Sequence, residues 1–267
     1  MDEPLLYAVI GGDVRDSLSP PMHNATFKKY GISARYMAIS KSSVEEAVEI
    51  IENLKIEGAN ITMPFKEKIL RYLHRVEGIA ARIGAVNTVL RRNNRLWGYN
   101  TDATGALRAL QRFTEVKDSR VLIIGGGGAG KAIGTALAEH ADVLILDRKE
   151  ERVNALIRQG MKADKLNLEN LEKELRRSHI LINATPVGMR ENRSLVPAEF
   201  LSDGLVVMDI VYIPLRTKLL RDALLRGCRV IDGLWMLAEQ AAESFRIWMG
   251  IEVDAEYMRS AALEALR

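Results

Sequence analysis

Residues Val121–Glu139 read VLIIGGGGAGKAIGTALAE, and the organisation of the chain follows from them. An apolar run, Val121 to Ile124, stops at a glycine cluster and passes into an alanine-rich stretch. That order reads as a buried strand, a tight turn and a helix. Gly125, Gly127 and Gly130 satisfy G-x-G-x-x-G at the junction, with Gly128 and Ala129 between them. Backbone without side chains lets a pyrophosphate approach, and the helix start offers unpaired N–H groups and partial positive charge. A following strand, Val143 to Leu146, leads into Asp147, 22 residues after Gly125. A carboxylate there suits the ribose of a dinucleotide. Lys131 follows Gly130, but Ala132 stands where a P-loop needs a magnesium-binding hydroxyl, so ATP chemistry loses its support.

Outward from this unit the texture is consistent. Later strands are expected at Ile180 to Asn183, Val206 to Ile210 and Val230-Ile231 with helices between them, and two helices close the chain at roughly 234–248 and 254–266. Strands alternating with helices imply βαβ units and a parallel sheet covered on both faces. Ahead of the glycine loop lies a second region of alternating elements. It has strands at Leu5 to Ile10, Ala34 to Ile39 and Gly58 to Thr62, a capping box at Ser43 and Glu46, and a hairpin turning at Asn93-Asn94. A helix is expected over 103–113, and the two α/β domains divide near 102–118.

The 267 residues suit one large or two medium domains. Lys plus Arg number 38 against 35 Asp plus Glu, a net charge of +3, too balanced for a general nucleic-acid or membrane-surface protein. The single cysteine, Cys228, excludes an internal disulfide and a thiolate zinc cage, which makes a reducing cytoplasm the default and predicts no metal. No apolar run reaches the ~18 residues of a membrane span, and no signal peptide is visible.

Polar residues in the first domain stand where patterning alone would not put them. Ser17 and Ser19 follow a strand and a Gly-Gly turn; their plain alternative is capping the helix that starts at Pro20. Asn60 and Thr62 alternate on a strand that ends at Pro64, with Lys66 just beyond. Asn100, Thr101 and Asp102 lie where the hairpin hands over to a helix, and Asp102 could be that helix's N-cap. Asn87, inside the apolar AVNTVL run, is a buried amide in need of partners. Together these groups suit a polyhydroxylated acid.

Eight segments now stand in one order: SLSP, GANITMPFKE, GAVNT, NTDATG, the glycine loop, NATPVGM, DIVYIPLRTKLL and DGLWMLAEQA. In that order, and over essentially its whole length, the chain resembles the shikimate/quinate dehydrogenase family. The resemblance implies an α/β fold of two domains. One is an N-terminal α/β substrate domain over 1–103, with the C-terminal helices 237–267 packing back on it. The other is a Rossmann-type doubly wound parallel sheet domain over 104–236. It implies oxidation of the C3 hydroxyl of shikimate to 3-dehydroshikimate, reversibly and with NADP, in the pathway to chorismate and the aromatic amino acids. Lys66 and Asp102 match the catalytic pair. Ser17, Ser19 and Tyr212 match carboxylate contacts, and Thr62, Asn87, Asp102 and Gln240 match contacts to the ring hydroxyls. On the cofactor side fall Gly125, Gly127, Gly128, Ala129, Asp147, Arg148, Arg152, Thr185, Ile210, Val211, Gly233 and Met236.

Two positions depart from the family pattern. Asp147-Arg148-Lys149 stands where many members have Asn-Arg-Thr, so NAD stays open beside NADP, although Arg148 and Arg152 favour a 2′-phosphate. Trp235 stands where some members have glycine beside the nicotinamide, and its side chain must turn away or reshape the pocket edge. The competing readings are an NAD-dependent quinate/shikimate dehydrogenase, for which Asp147 speaks, and a nucleotide sensor that has lost catalysis, against which the intact Lys66 and Asp102 argue. A folate dehydrogenase is disfavoured by the serine pair. Monomer and homodimer are both compatible with the sequence.

Overall fold

Short apolar runs punctuated by glycine, proline and asparagine give a succession of brief strands and helices, and a computed structural model describes residues 3–266. The chain forms two compact units, one of residues up to Gly105 together with those from Leu237 onward, the other Ala106–Met236.

The first unit contains β1 (Leu5–Gly11), α1 (Ser19–Lys29), β2 (Ala34–Ser40), α2 (Val44–Asn53), β3 (Gly58–Ile61), β4 (Arg75–Val76), α3 (Ile79–Ile83), β5 (Thr88–Arg92) and β6 (Arg95–Tyr99). Its sheet has the order β2-β1-β3-β5-β6-β4. It is mixed where alternation of strand and helix predicts a parallel sheet: β1 pairs parallel with β2 and β3, but β3–β5 and β5–β6 are antiparallel. The hairpin accounts for this. Asn93 and Asn94 both adopt positive φ, 51° and 56°, the conformation a two-residue turn between twisted strands requires. The capping box at α2 is offset by one residue. Ser43 Oγ accepts from Glu46 N–H at 3.2 Å, while the Glu46 carboxylate accepts from Ser42 N–H at 3.1 Å.

The second unit runs β7 (Arg120–Ile124), α5 (Gly128–Leu137), β8 (Asp142–Asp147), α6 (Glu150–Arg158), β9 (Ala163–Lys165), α7 (Leu168–Leu175), β10 (Ile180–Asn183), β11 (Val206–Asp209), α8 (Lys218–Leu225) and β12 (Arg229–Ile231). Every strand pair is parallel in the order β12-β11-β10-β7-β8-β9. The order reverses direction beside β7, which places the glycine loop at the switch point of a doubly wound sheet. Apolar side chains cover both faces: Val121, Ile123, Ile145 and Ile182 on one, Leu122, Ile124, Leu181 and Val207 on the other. The helices α4 (Thr101–Gln111) and α9 (Gly233–Met249) contain the divisions between units, and α10 (Ala255–Ala265) packs on α1 within the first.

Two details of packing have measurable consequences. A Cβ on Gly130 would lie 1.8 Å from the Gly125 carbonyl oxygen, whereas one on Gly127 would meet nothing within 4 Å. Gly130→Ala should therefore cost more than the ~1–3 kcal/mol of ordinary overpacking and deplete soluble protein, while Gly127→Ala keeps the melting temperature; equal stability of the two variants would contradict the close approach. In the first unit, His23 is fully buried in an aromatic cluster, stacked on Tyr36 at 4.3 Å and near Phe27, Phe245 and Trp248. Neither ring nitrogen has a hydrogen-bond partner, and burial pushes its pKa down to about 3. The unfolded chain takes up this proton near the ordinary value of 6.5, so between pH 6.5 and about 3 acid favours unfolding. His23→Phe should flatten the fall of melting temperature between pH 6.5 and about 4; parallel curves for the two proteins would disprove it.

Candidate active site

In the first unit the chain goes from β1 to β2 on one side and returns to β3 on the other, so the switch point lies between β1 and β3 and the loops leaving them run side by side, joined by Gly12 N–H donating to the Met63 carbonyl at 2.9 Å. Strand β3 ends at Ile61, one residue short of the expected Thr62, ahead of Pro64, which has no N–H for a ladder. Thr62 and Lys66 therefore sit on a turn and are half-buried. Val86 N–H donates to the Lys66 carbonyl at 2.8 Å, which fixes the lysine beside β5.

Helix α4 begins two residues earlier than the pattern suggests. Asn100 Oδ1 accepts from Ala103 N–H at 3.3 Å and serves as the cap, so Asp102 is not the N-cap and its carboxylate is left for other work. Asp102 Oδ2 accepts from Lys66 Nζ at 2.6 Å, with the two side chains 13% and 22% exposed. Its other oxygen accepts from Asn87 Nδ2 at 2.9 Å. Asn87 also donates to Thr101 Oγ1 at 3.0 Å and accepts from Thr101 N–H at 2.7 Å. Gln240 reaches the group through Thr101 Oγ1 at 3.4 Å, while its own Nε2 donates to the Leu237 carbonyl at 2.8 Å. Lys66, Asn87, Asp102 and Gln240 are thus one connected cluster. An ammonium against a carboxylate in a mostly dry setting can hand a proton to, or take one from, an oxygen placed beside it.

Ser17 Oγ accepts from Ser19 N–H at 3.2 Å at the start of α1, so part of its hydroxyl's capacity serves the helix entry. Ser19 is buried near the Tyr36 hydroxyl, to which it hydrogen-bonds. Tyr212 belongs to the second unit, half-buried after β11, and burial raises its pKa.

In the second unit each glycine of the loop has its own geometry. Gly125 has φ +107°, a conformation side chains resist, and a Cβ there would strike Thr185 Cγ2 at 2.7 Å. Gly127 and Gly128 face open space at the start of α5, whose first turn has no side-chain cap. Uncapped N–H groups beside side-chain-free backbone are what a pyrophosphate needs, so Gly125, Gly127, Gly128 and Ala129 fit a dinucleotide. Asp147 turns inward. One oxygen accepts from Gly126 N–H at 2.7 Å and the other from Lys149 N–H at 2.8 Å, and Arg152 Nη1 lies 3.5 Å away. Arg148 and Arg152 are exposed.

Sequence reasoning gave no role to Asn183 and Asp209, which build the neighbouring loops. They face each other across β10 and β11. Asn183 Nδ2 donates to Asp209 Oδ1 at 2.9 Å, and Asn183 Oδ1 accepts from Thr185 N–H and Oγ1. Asp209 accepts in addition from Val211 N–H at 3.0 Å and Thr217 Oγ1 at 2.7 Å. Burial pushes its pKa up to about 6, against the lowering effect of these hydrogen bonds. The available signal was a polar residue closing each of two apolar strands. Gly233 stands against the backbone of Ile210 and Val211, with no room for a Cβ, whose nearest neighbour would be 2.4 Å away. Met236 is packed into the apolar cluster with Ile123 and Met208, and Trp235 lies edge-on to Phe113 with Arg112 over its ring. Among the described residues no group of three or more His, Cys, Asp or Glu is placed to hold a metal ion.

Three family profiles cover the chain in turn. They are the shikimate dehydrogenase substrate binding domain over residues 9–89, shikimate/quinate 5-dehydrogenase over 108–202, and the shikimate 5′-dehydrogenase C-terminal domain over 233–263. The shikimate dehydrogenase (NADP+) of Pyrococcus furiosus is 49% identical over 266 residues, 99% of this chain and 97% of that protein. That of Thermococcus kodakarensis is also 49% identical, over 99% and 98%. The crystal structure of shikimate 5-dehydrogenase from Thermus thermophilus in complex with NADP(H) and shikimate has a TM-score of 0.90 at 39% identity, covering 98% of this chain and 99% of that one. With half its residues shared over almost its entire length, the chain belongs to the shikimate dehydrogenase family.

Proposed function

We propose that this chain is an NADP-dependent shikimate dehydrogenase of the shikimate pathway, reducing 3-dehydroshikimate reversibly to shikimate. The observation that carries the reading is the Lys66–Asp102 pair, 2.6 Å apart and braced by Asn87. NADP, when bound, exchanges a hydride with the carbon that bears the reacting oxygen. The proton is the protein's task. In reduction, the Lys66 ammonium gives a proton to the oxygen as it gains negative charge; in oxidation, Lys66 or Asp102 takes it back. Ser17, Ser19 and Tyr212 bind the substrate carboxylate, and Thr62, Asn87, Asp102 and Gln240 bind the ring hydroxyls. Thr185, Ile210, Gly233 and Met236 form the nicotinamide side of the cofactor site.

Preference for NADP rests on the orientation of Asp147. With both oxygens accepting from backbone N–H groups, part of its carboxylate's acceptor capacity is already used, and the exposed guanidinium groups of Arg148 and Arg152 suit a 2′-phosphate. An NAD-dependent quinate/shikimate dehydrogenase is the second reading, favoured by the charge of Asp147 alone. A single cysteine, with no disulfide to protect, supports a cytoplasmic enzyme, working as a monomer or homodimer without nucleic-acid or membrane partners. Among the described residues no helix is long and apolar enough to cross a membrane.

Initial rates at 340 nm with shikimate, NADP and NAD side by side, test the assignment. A shikimate-dependent rise, at least ~10-fold better with NADP, is expected; no rise with either nucleotide would sink it. Lys66→Met and Asp102→Asn should each lower kcat by at least ~10²-fold with melting temperature nearly unchanged. Replacing Arg148 and Arg152 together by alanine should weaken NADP binding, read by quenching of protein fluorescence, by at least ~10-fold and leave NAD binding unaltered.

A further inference from the structure

Behind the Lys66–Asp102 pair lies a buried group of polar side chains that substrate binding does not account for. The hydroxyls of Thr88, Thr101 and Ser244 form a triangle with edges of 3.0–3.1 Å. Asn60 Nδ2 donates to Thr88 Oγ1 at 3.1 Å, to Ser244 Oγ at 2.9 Å and to the Asn87 carbonyl at 3.3 Å. Asn60 Oδ1 accepts from the Tyr36 hydroxyl at 2.7 Å. Thr88 and Ser244 are wholly buried, and Asn60 and Asn87 nearly so. Four buried polar residues would cost more than an apolar core unless each bond were made, so such a network exists for what it fixes.

Backbone groups orient its two amides. The Asn87 carbonyl accepts only, so it faces the amino side of the Asn60 amide, and the Asn60 oxygen is left to take the Tyr36 proton. Thr88 Oγ1 lies within reach of the Asn60 amino group at 3.1 Å and of Asn87 Oδ1 at 3.1 Å, to which it can donate its one proton. Thr101 N–H, which can only donate, meets the same oxygen at 2.7 Å. With two donors on its oxygen, Asn87 must direct its amino group outward, one hydrogen to Thr101 Oγ1 and the other to Asp102 Oδ1. Asp102 is thereby held with Oδ2 toward Lys66.

We infer that Thr88 is a positioning residue of the catalytic pair, acting through the Asn87 amide to hold the Asp102 carboxylate oriented toward Lys66. This rests on the proposed reaction for its kinetic part, but the geometry makes a claim that can be read without turnover. Removing the Thr88 hydroxyl takes one donor from the Asn87 oxygen, so the amide should be held less firmly against Asp102.

Thr88→Val keeps the shape and removes the hydroxyl; Thr88→Ser keeps the hydroxyl and removes a methyl. The test records the Asn87 side-chain amide signals by ¹H–¹⁵N NMR in the protein alone, and measures kcat and melting temperature for both variants. The expected result is shifted or broadened Asn87 amide signals and a kcat at least ~10-fold lower in Thr88→Val, both restored in Thr88→Ser. On an Asp102→Asn background Thr88→Val should lower kcat no further. Unchanged Asn87 amide signals in Thr88→Val, or equal impairment of the two variants, overturn the inference. A wild-type protein without shikimate turnover fails the proposed activity instead, and the amide signals still decide the role of Thr88.

Discussion

Where a strand begins or ends, its outermost N–H and C=O groups lose their ladder partners, and the adjoining loop must find others or face water. In both units this need is met by a buried amide or carboxylate at or beside the strand end. Asn87, just ahead of β5, takes the first N–H of α4 onto its oxygen. Asp147, closing β8, takes Gly126 N–H from the loop after β7. Asp209, closing β11, takes Val211 N–H and holds Asn183 of β10. Each of these polar side chains is buried and would be costly unpaired, so the loop conformations that satisfy it are strongly favoured over any others. The residues that can do chemistry stand on those loops, and their precision derives from this constraint.

Loops built in this way are preorganised without ligand. Asp102 needs no rearrangement to meet Lys66: the capping role that would compete for its carboxylate is filled by Asn100, and Asn87 supplies the remaining donor. A group that acts on developing charge works best when its orientation is set before the reaction, since no free energy is then spent reorienting it. The glycine loop has a similar character. Gly125 and Gly130 are fixed by contact and conformation, leaving the open faces of Gly127 and Gly128 as the place where a phosphate can approach.

What the sequence made legible was local. The glycine spacing, the Asn93-Asn94 turn and the period of the apolar runs depend on neighbours in the chain, and the corresponding elements stand within a residue or two of their expected places. The buried amide of Asn87 was visible for the same reason, as a polar residue in an apolar run. The antiparallel hairpin of the first sheet was visible, but its place beside β3 was not, because pairing β3 with β5 depends on contacts distant in sequence. Nor was the role of Asn60 or Ser244, since 184 residues separate the two partners and only the fold makes them neighbours. Asp102 shows the limit from the other side: residue type allowed both a cap and a catalytic acid, and the start of α4 at Thr101 removed the first.

Asp147 was an ambiguous signal, and its geometry bears on the choice. An acid at the end of the second strand ordinarily reads as a mark of NAD, because a free carboxylate binds a ribose diol and repels a phosphate. That inference assumes free oxygens. Here the carboxylate bonds the loop's own backbone at 2.7 Å and 2.8 Å, and Arg152 lies 3.5 Å from it, so part of its charge is already answered. Removing it would take away an acceptor for Gly126 N–H as well as a charge, and would disturb the turn that presents Gly127 and Gly128. In the proposed NADP reading, selectivity between the nucleotides falls to the exposed guanidinium groups of Arg148 and Arg152, and Asp147 serves the loop's architecture.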